Sequence, residues 1–170
     1  MAKASTWKMT LPGPMLQRGF WLYVWRVETP KGEMLYVGRT GDNSSPYATA
    51  PYTRMGQHLG FLKNQNALRK QLNKRDIEPE SCDAFHLIAH GPIYPEIEKR
   101  DGDDRTALME RHLPLRNYVG AMEKALAEAL ATAGYDVLND VKWAHSYEPE
   151  VWQSVKAAFS DEFPKLAEAV

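Results

Sequence analysis

Two tyrosines stand where their hydroxyls could serve chemistry. Tyr23 lies in the aromatic, β-branched run FWLYVWRVE over 20–28, and Tyr36 in the run MLYVG over 34–38. A phenol donates and relays hydrogen bonds, and with an ordinary pKa of about 10 it acts as a base only where a metal or guanidinium lowers that value. Thr29-Pro30-Lys31-Gly32 separates the runs, with Pro and Gly at the second and fourth positions of a β-turn. The two runs therefore read as a hairpin in which Tyr23 lies opposite Gly38 and Trp25 opposite Tyr36. Side chains alternate along a strand, so Tyr23 and Trp25 share a face and Tyr23 and Tyr36 are diagonal neighbours on it. A slip of one residue would separate them. Taken alone, paired hairpin tyrosines are read first as packing.

The elements around this hairpin follow from breakers and periodicity. Residues 1–18 read as an N-terminal arm interrupted by Pro12, Gly13 and Pro14. Residues 39–52 are rich in Gly, Asn, Ser, Pro and Ala and read as a loop. Two short helices are expected at Thr53–Leu62 and Gln65–Arg75, and a third strand at Ala84–His90, stopped by Gly91-Pro92. A polar, acidic loop over 91–105 and a helical turn or two over Thr106–His112 precede the strongest helix, Leu115–Ala133, closed by Gly134. In the tail, Val151, Trp152, Val155, Ala158 and Phe159 have helical spacing. The expected architecture is α+β: a small three-stranded antiparallel sheet flanked by helices, with a core over 19–140 and a helical extension over 141–170 packed on it.

Charge is unevenly distributed. The net charge is -1, yet 43–75 holds no Asp or Glu and contains Arg54, Lys63, Arg69, Lys70, Lys74 and Arg75. The next stretch, 76–104, carries nine acids against Lys99 and Arg100. A basic block inside a neutral total suggests an anionic partner met on one side, although a solvated helix face has the same composition. Cys82 is the only cysteine, which excludes an intramolecular disulfide and a cysteine zinc cluster and suits a reducing cytoplasm. The longest apolar run, 20–25, is too short to span a bilayer, so no membrane role is expected.

Trp21-Leu22-Tyr23 followed by Tyr36-Val37-Gly38 resembles the two signatures that name the GIY-YIG nuclease superfamily. Arg39 follows the second, where a basic residue is often seen. Arg54-Met-Gly-Gln-His58 is similar to the arginine helix of that family; residues four apart share a helix face, so Arg54 and His58 can address one phosphate. Glu123-Lys-Ala-Leu126 and the later Leu138-Asn139-Asp140 are similar to the glutamate helix and the asparagine that follows it. Two departures stand out: Trp21 occupies the position of the first signature's glycine, and the loop before Arg54 is longer than usual. Glu128 competes with Glu123. At about 100° per residue, Leu115, Val119, Met122, Leu126 and Leu130 form one apolar stripe; Glu123 falls on its border and Glu128 on the opposite face. Glu123 therefore fits a site beside the core, and Glu128 is better read as a solvated carboxylate.

The resemblance implies an endonuclease that hydrolyses phosphodiester bonds with Tyr23, Tyr36, Arg54, His58 and Glu123 as catalytic residues, Tyr23 being the general base. One carboxylate is a sparse ligand set, which favours Mg²⁺, or Mn²⁺, that keeps most of its waters. Gly38 and Asn139 are expected to be structural. DNA is the expected substrate, with RNA also open, and Arg39, Lys63, Arg69, Lys70, Lys74 and Arg75 are the expected backbone contacts. Specificity would come from the 39–52 loop, the 91–105 insertion, the terminal arms or a homodimer partner. Two other readings use the same residues: a nucleic-acid-binding protein without catalysis, and a protein-interaction domain contacted through the acidic 96–104 segment.

Overall fold

The turn forms as its residues dictate: the Thr29 hydroxyl donates to the Gly32 carbonyl at 2.7 Å and accepts from the Lys31 N–H at 3.1 Å. It joins strand β1 (Gly19–Thr29) to β2 (Gly32–Arg39), with Tyr23 opposite Gly38 and Trp25 opposite Tyr36, the expected register. Strand β3 (Ala84–Pro95) pairs antiparallel with the other side of β1, so the order is β2-β1-β3. The structure, a computed structural model, describes residues 3–63 and 65–168. It is α+β, a three-stranded antiparallel sheet flanked by helices. These are α1 (Pro51–Leu59), α2 (Ala67–Asn73), α3 (Arg105–Thr132), α4 (Pro149–Ser160) and α5 (Lys165–Glu168).

Both faces of β1 are covered, and its burial is therefore almost continuous. Phe20, Leu22 and Val24, with Leu35 and Val37 of β2, pack on Val119, Met122, Leu126 and Leu130 of α3 and on Trp152, Val155, Phe159, Phe163 and Leu166 of the tail. The C-terminal extension is thus part of the main core. On the opposite face Tyr23, Trp25, Val27 and Met34 pack on Leu68, Leu72 and Ile77. Residues 136–139 run beside β2: the Leu35 N–H donates to the Asp136 carbonyl at 2.8 Å, and the Leu138 N–H to the Leu35 carbonyl at 2.7 Å.

Four elements differ in their bounds from expectation. Strand β3 runs on through Gly91-Pro92 to Pro95, where a loop was expected from residue 91. It is an edge strand, the place where a proline's missing N–H costs the ladder least, and the pairing shifts register between Phe20 and Leu22 to absorb the extra residues. Helix α3 is continuous from Arg105, although Pro114 predicts a break. The Asp104 carboxylate caps it by accepting from the Ala107 N–H at 2.9 Å, and burial of Leu108 and His112 carries the first turns. Helices α1 and α2 are shorter than expected, and α1 stops at Gly60. Among the described residues, no helix is long and apolar enough to cross a membrane.

Candidate active site

Four elements meet around a cavity of about 320 Å³ lined by Tyr23 of β1, Tyr36 and Arg39 of β2, Arg54 and His58 of α1, and Glu123 of α3. All five residues expected to be catalytic are there. The Tyr23 ring reaches the cavity because its cross-strand partner is Gly38: a Cβ at that position would sit 2.4 Å from the ring. Gly38 is structural in this specific sense. The Tyr23 hydroxyl lies 2.5 Å from His58 Nε2, and the Tyr36 ring stands edge-on to the same imidazole with centroids 5.1 Å apart. Arg54, one turn before His58, donates from Nη1 to Gln57 Oε1 at 3.1 Å, and its buried Nε has no partner. Glu123 borders the cavity with its side chain 15% exposed, whereas the Glu128 side chain is 65% exposed and lies 3.6 Å from Lys124 Nζ.

Trp21 does not line the cavity. It is buried, its indole N–H donates to the Gln17 carbonyl at 3.1 Å and its backbone N–H to Thr40 Oγ1 at 2.9 Å. A large residue is therefore accommodated by packing, away from the cavity lining. Asn139 pairs with the backbone of Val37 in both directions, Nδ2 donating to the carbonyl at 2.7 Å and Oδ1 accepting from the N–H at 3.0 Å. It pins the segment after α3 to β2, next to Gly38.

Burial dominates the electrostatics. It pushes the Tyr23 phenol far above its ordinary value against the opposing pull of Arg54, and pushes Tyr36 up to about 12 with help from Glu123. His58 is pushed down to about 4, by burial first and by Arg54 second. Glu123 is raised to about 7 by burial, opposed by Arg39. At neutral pH the tyrosines are protonated and His58 is neutral, and Glu123 resists ionisation more than an ordinary carboxylate does. The guanidiniums of Arg39 and Arg54 share the cavity with two carboxylates, Glu123 and Asp42, the latter held below the usual carboxylate range, first by the Ser44 N–H.

Glu123 is the residue of this cavity that could hold a hard divalent cation. A buried carboxylate that resists ionisation gains from a cation. The Arg39 Nε lies 2.9 Å from Glu123 Oε2, but its N–H is not aimed at that oxygen, so the contact is one of charge and the carboxylate's lone pairs are not used up. Asp42, the other acid on the lining, accepts from the Ser44 N–H and hydroxyl, so with Glu123 as the single carboxylate ligand most ligands would be waters, which would suit Mg²⁺ or Mn²⁺.

The expected phosphate contacts divide into three groups. Arg39 is inside the cavity, held by Glu123, by the Gly41 carbonyl and by Asn43 Oδ1 at 3.0 Å. Arg69 and Arg75 are engaged: Arg69 donates to both Glu80 oxygens and to the Leu59 carbonyl, and Arg75 to both Asp136 oxygens at 2.8 and 3.1 Å. Lys63, Lys70 and Lys74 are exposed. Acids from outside the basic block fold back on it, which composition along the chain does not reveal.

The sequence named no partner for His112. It is fully buried, and its Nε2–H donates to the Asp42 carbonyl at 2.8 Å, fixing the loop at the cavity rim. Trp143 was missed altogether; it has no motif, and only folding lays it against α3. Comparison of the chain with protein-family models, with curated proteins and with solved structures finds no match.

Proposed function

We propose that this chain is a metal-dependent endonuclease of the GIY-YIG type, acting on DNA through Tyr23, Tyr36, Arg54, His58 and Glu123. The supporting observation is convergence. Two phenols, an imidazole, a guanidinium and a carboxylate from four elements surround one cavity. Packing alone does not ask for this, because Arg54 Nε and His58 Nδ1 stay buried without partners, at about 1–3 kcal/mol each.

In this reading Arg54 receives a nonbridging phosphate oxygen and meets the charge that grows there in the transition state. Tyr23 takes the proton of the attacking water while its own phenolic proton passes to His58 Nε2 across their 2.5 Å contact. Neutral His58 is the form that can accept it, and an incoming phosphate raises the affinity of that nitrogen for a proton. Tyr36 hydrogen-bonds the phosphate. The water oxygen forms the new bond to phosphorus as the bond to the leaving sugar oxygen breaks, and that oxygen takes a proton from solvent. Glu123 would hold Mg²⁺ or Mn²⁺, which supplies Lewis-acid stabilisation of the phosphoryl and leaving oxygens.

The test is nicking of supercoiled plasmid with Mg²⁺, alongside filter binding in chelator. Wild type should cut, and Glu123→Gln should cut at least about 10²-fold more slowly while still binding. Arg54→Ala should lose both. Full activity in Glu123→Gln would sink the mechanism. A second reading, a binding protein without catalysis, is favoured by Arg39, a cation already beside the carboxylate. Wild type that retains DNA in chelator yet cuts neither DNA nor RNA with Mg²⁺ or Mn²⁺ would select it.

A further inference from the structure

Beside the cavity, Trp143 lies against α3. Its indole N–H donates to the Asn117 carbonyl at 3.0 Å, and its ring fills the space above Gly120, where a Cβ would sit 2.3 Å from the indole. A mid-helix glycine is unfavourable by about 1 kcal/mol relative to alanine, and here it makes room for the ring. Two guanidiniums lie over that ring, Arg39 at 4.7 Å and Arg116 at 5.6 Å from its centroid.

The two cations are treated differently. Arg39 faces Glu123. Arg116 donates from Nε and Nη2 only to the neutral Asn117 Oδ1, at 3.1 and 2.6 Å, and among the described residues no carboxylate pairs with it. Two guanidiniums gathered on one indole repel each other. Cation–π attraction offsets part of that repulsion, and an anion arriving between them would remove the rest.

Position puts that anion close to the cavity. Arg116 stands seven residues before Glu123, two turns along the same face of α3, about 10 Å along the axis. That length matches about three nucleotides of one strand at 3.4 Å each. We propose that Arg116, shelved on Trp143, binds a backbone phosphate of the nucleic-acid substrate within three nucleotides of the scissile one. This rests on the cavity being the phosphodiester site. It adds a second contact that orients the strand across the cavity.

The experiment uses a short duplex containing a mapped cut site, with single methylphosphonates placed one at a time along the cut strand. Binding to the full-length protein is measured in chelator at several salt concentrations. For wild type, one position within three nucleotides of the cut should weaken binding about tenfold when neutralised. Arg116→Ala should weaken binding to the unmodified duplex by a similar factor, lower the salt slope by about 0.9, and be indifferent to that same methylphosphonate. Arg116→Lys should restore the slope without the full affinity, since it keeps the charge and loses the fork. Thermal melts of the variants verify folding. If wild type cuts and Arg116→Ala has an unchanged slope and methylphosphonate profile, this inference fails and the nuclease reading stands. If wild type neither binds nor cuts, both fail.

Discussion

The two faces of the sheet are built on different terms. Toward α3, α4 and α5 the contacts are mostly apolar, with Phe20, Leu22, Val24, Leu35 and Val37 against Met122, Leu126, Phe159 and Phe163, and with buried His112 of α3 beside Phe20 as the polar exception. Toward α1 and α2 the buried set includes Tyr23 and Trp25, and it leaves Trp25 Nε1, Arg54 Nε and His58 Nδ1 without partners. The supporting helices differ as well. Helix α3 has 28 residues and a side-chain cap, whereas α1 has nine residues and no capping side chain. A long helix on an apolar core can hold Glu123 still, and that rigidity lets the other face carry unpaired polar groups. The apolar face supplies most of the packing, and the polar cavity lies where the other face meets Glu123 of α3.

Substitutions that spare one face and damage the other test that division. The largest expected effect is Tyr23→Phe, a cleavage rate about 10²–10⁴-fold lower with unfolding free energy changed by less than about 2 kcal/mol. Plasmid nicking and urea melts on the same preparation measure both; equal loss in stability would merge the two faces. Phe159→Ala should do the reverse, costing about 3–5 kcal/mol in a urea melt while the rate per folded molecule at low temperature stays at the wild-type value.

Glu123→Gln adds a pH test. The folded pKa of Glu123 is raised to about 7 from 4.5. Its contribution to stability is therefore fully present below pH 4.5 and is lost as pH rises through 7. The variant does not suffer this loss. It should be more stable than wild type by about 3 kcal/mol at pH 8 and equal to it near pH 4, read from melts at each pH without metal. A constant difference across that range would remove burial as the cause. The smallest effect is expected from Arg69→Ala combined with Lys70→Ala. Arg69 is already held by Glu80 and Leu59, so the salt slope of DNA binding should fall by at most about 0.9, the share of Lys70 alone. A fall twice that size would show that Arg69 leaves Glu80 to meet phosphate.

Much of this architecture is legible along the chain because it is local. Thr29-Pro30-Lys31-Gly32 dictates the turn, the turn dictates register, and register puts Tyr23 across from Gly38. Helical periodicity alone separates Glu123 from Glu128, since 100° per residue sends one to the border of the stripe and the other to solvent. Where reading along the chain went astray, a distant group had intervened. Arg75 belongs to a basic block in sequence and to Asp136 in space. Pro114 looks like a boundary until burial on both sides of it is counted.

By itself, then, the sequence determined the hairpin register and which residues have side chains suited to phosphate, because both depend on neighbours a few positions away. Only the tertiary structure decided which of those groups share a cavity and which are neutralised elsewhere. Tyr23 meets His58 across 35 residues, Val37 meets Asn139 across 102, and Trp143 reaches α3 to gather Arg39 and Arg116. Such contacts arise from burying two amphipathic surfaces against each other, and no local preference encodes which surface a given side chain will find.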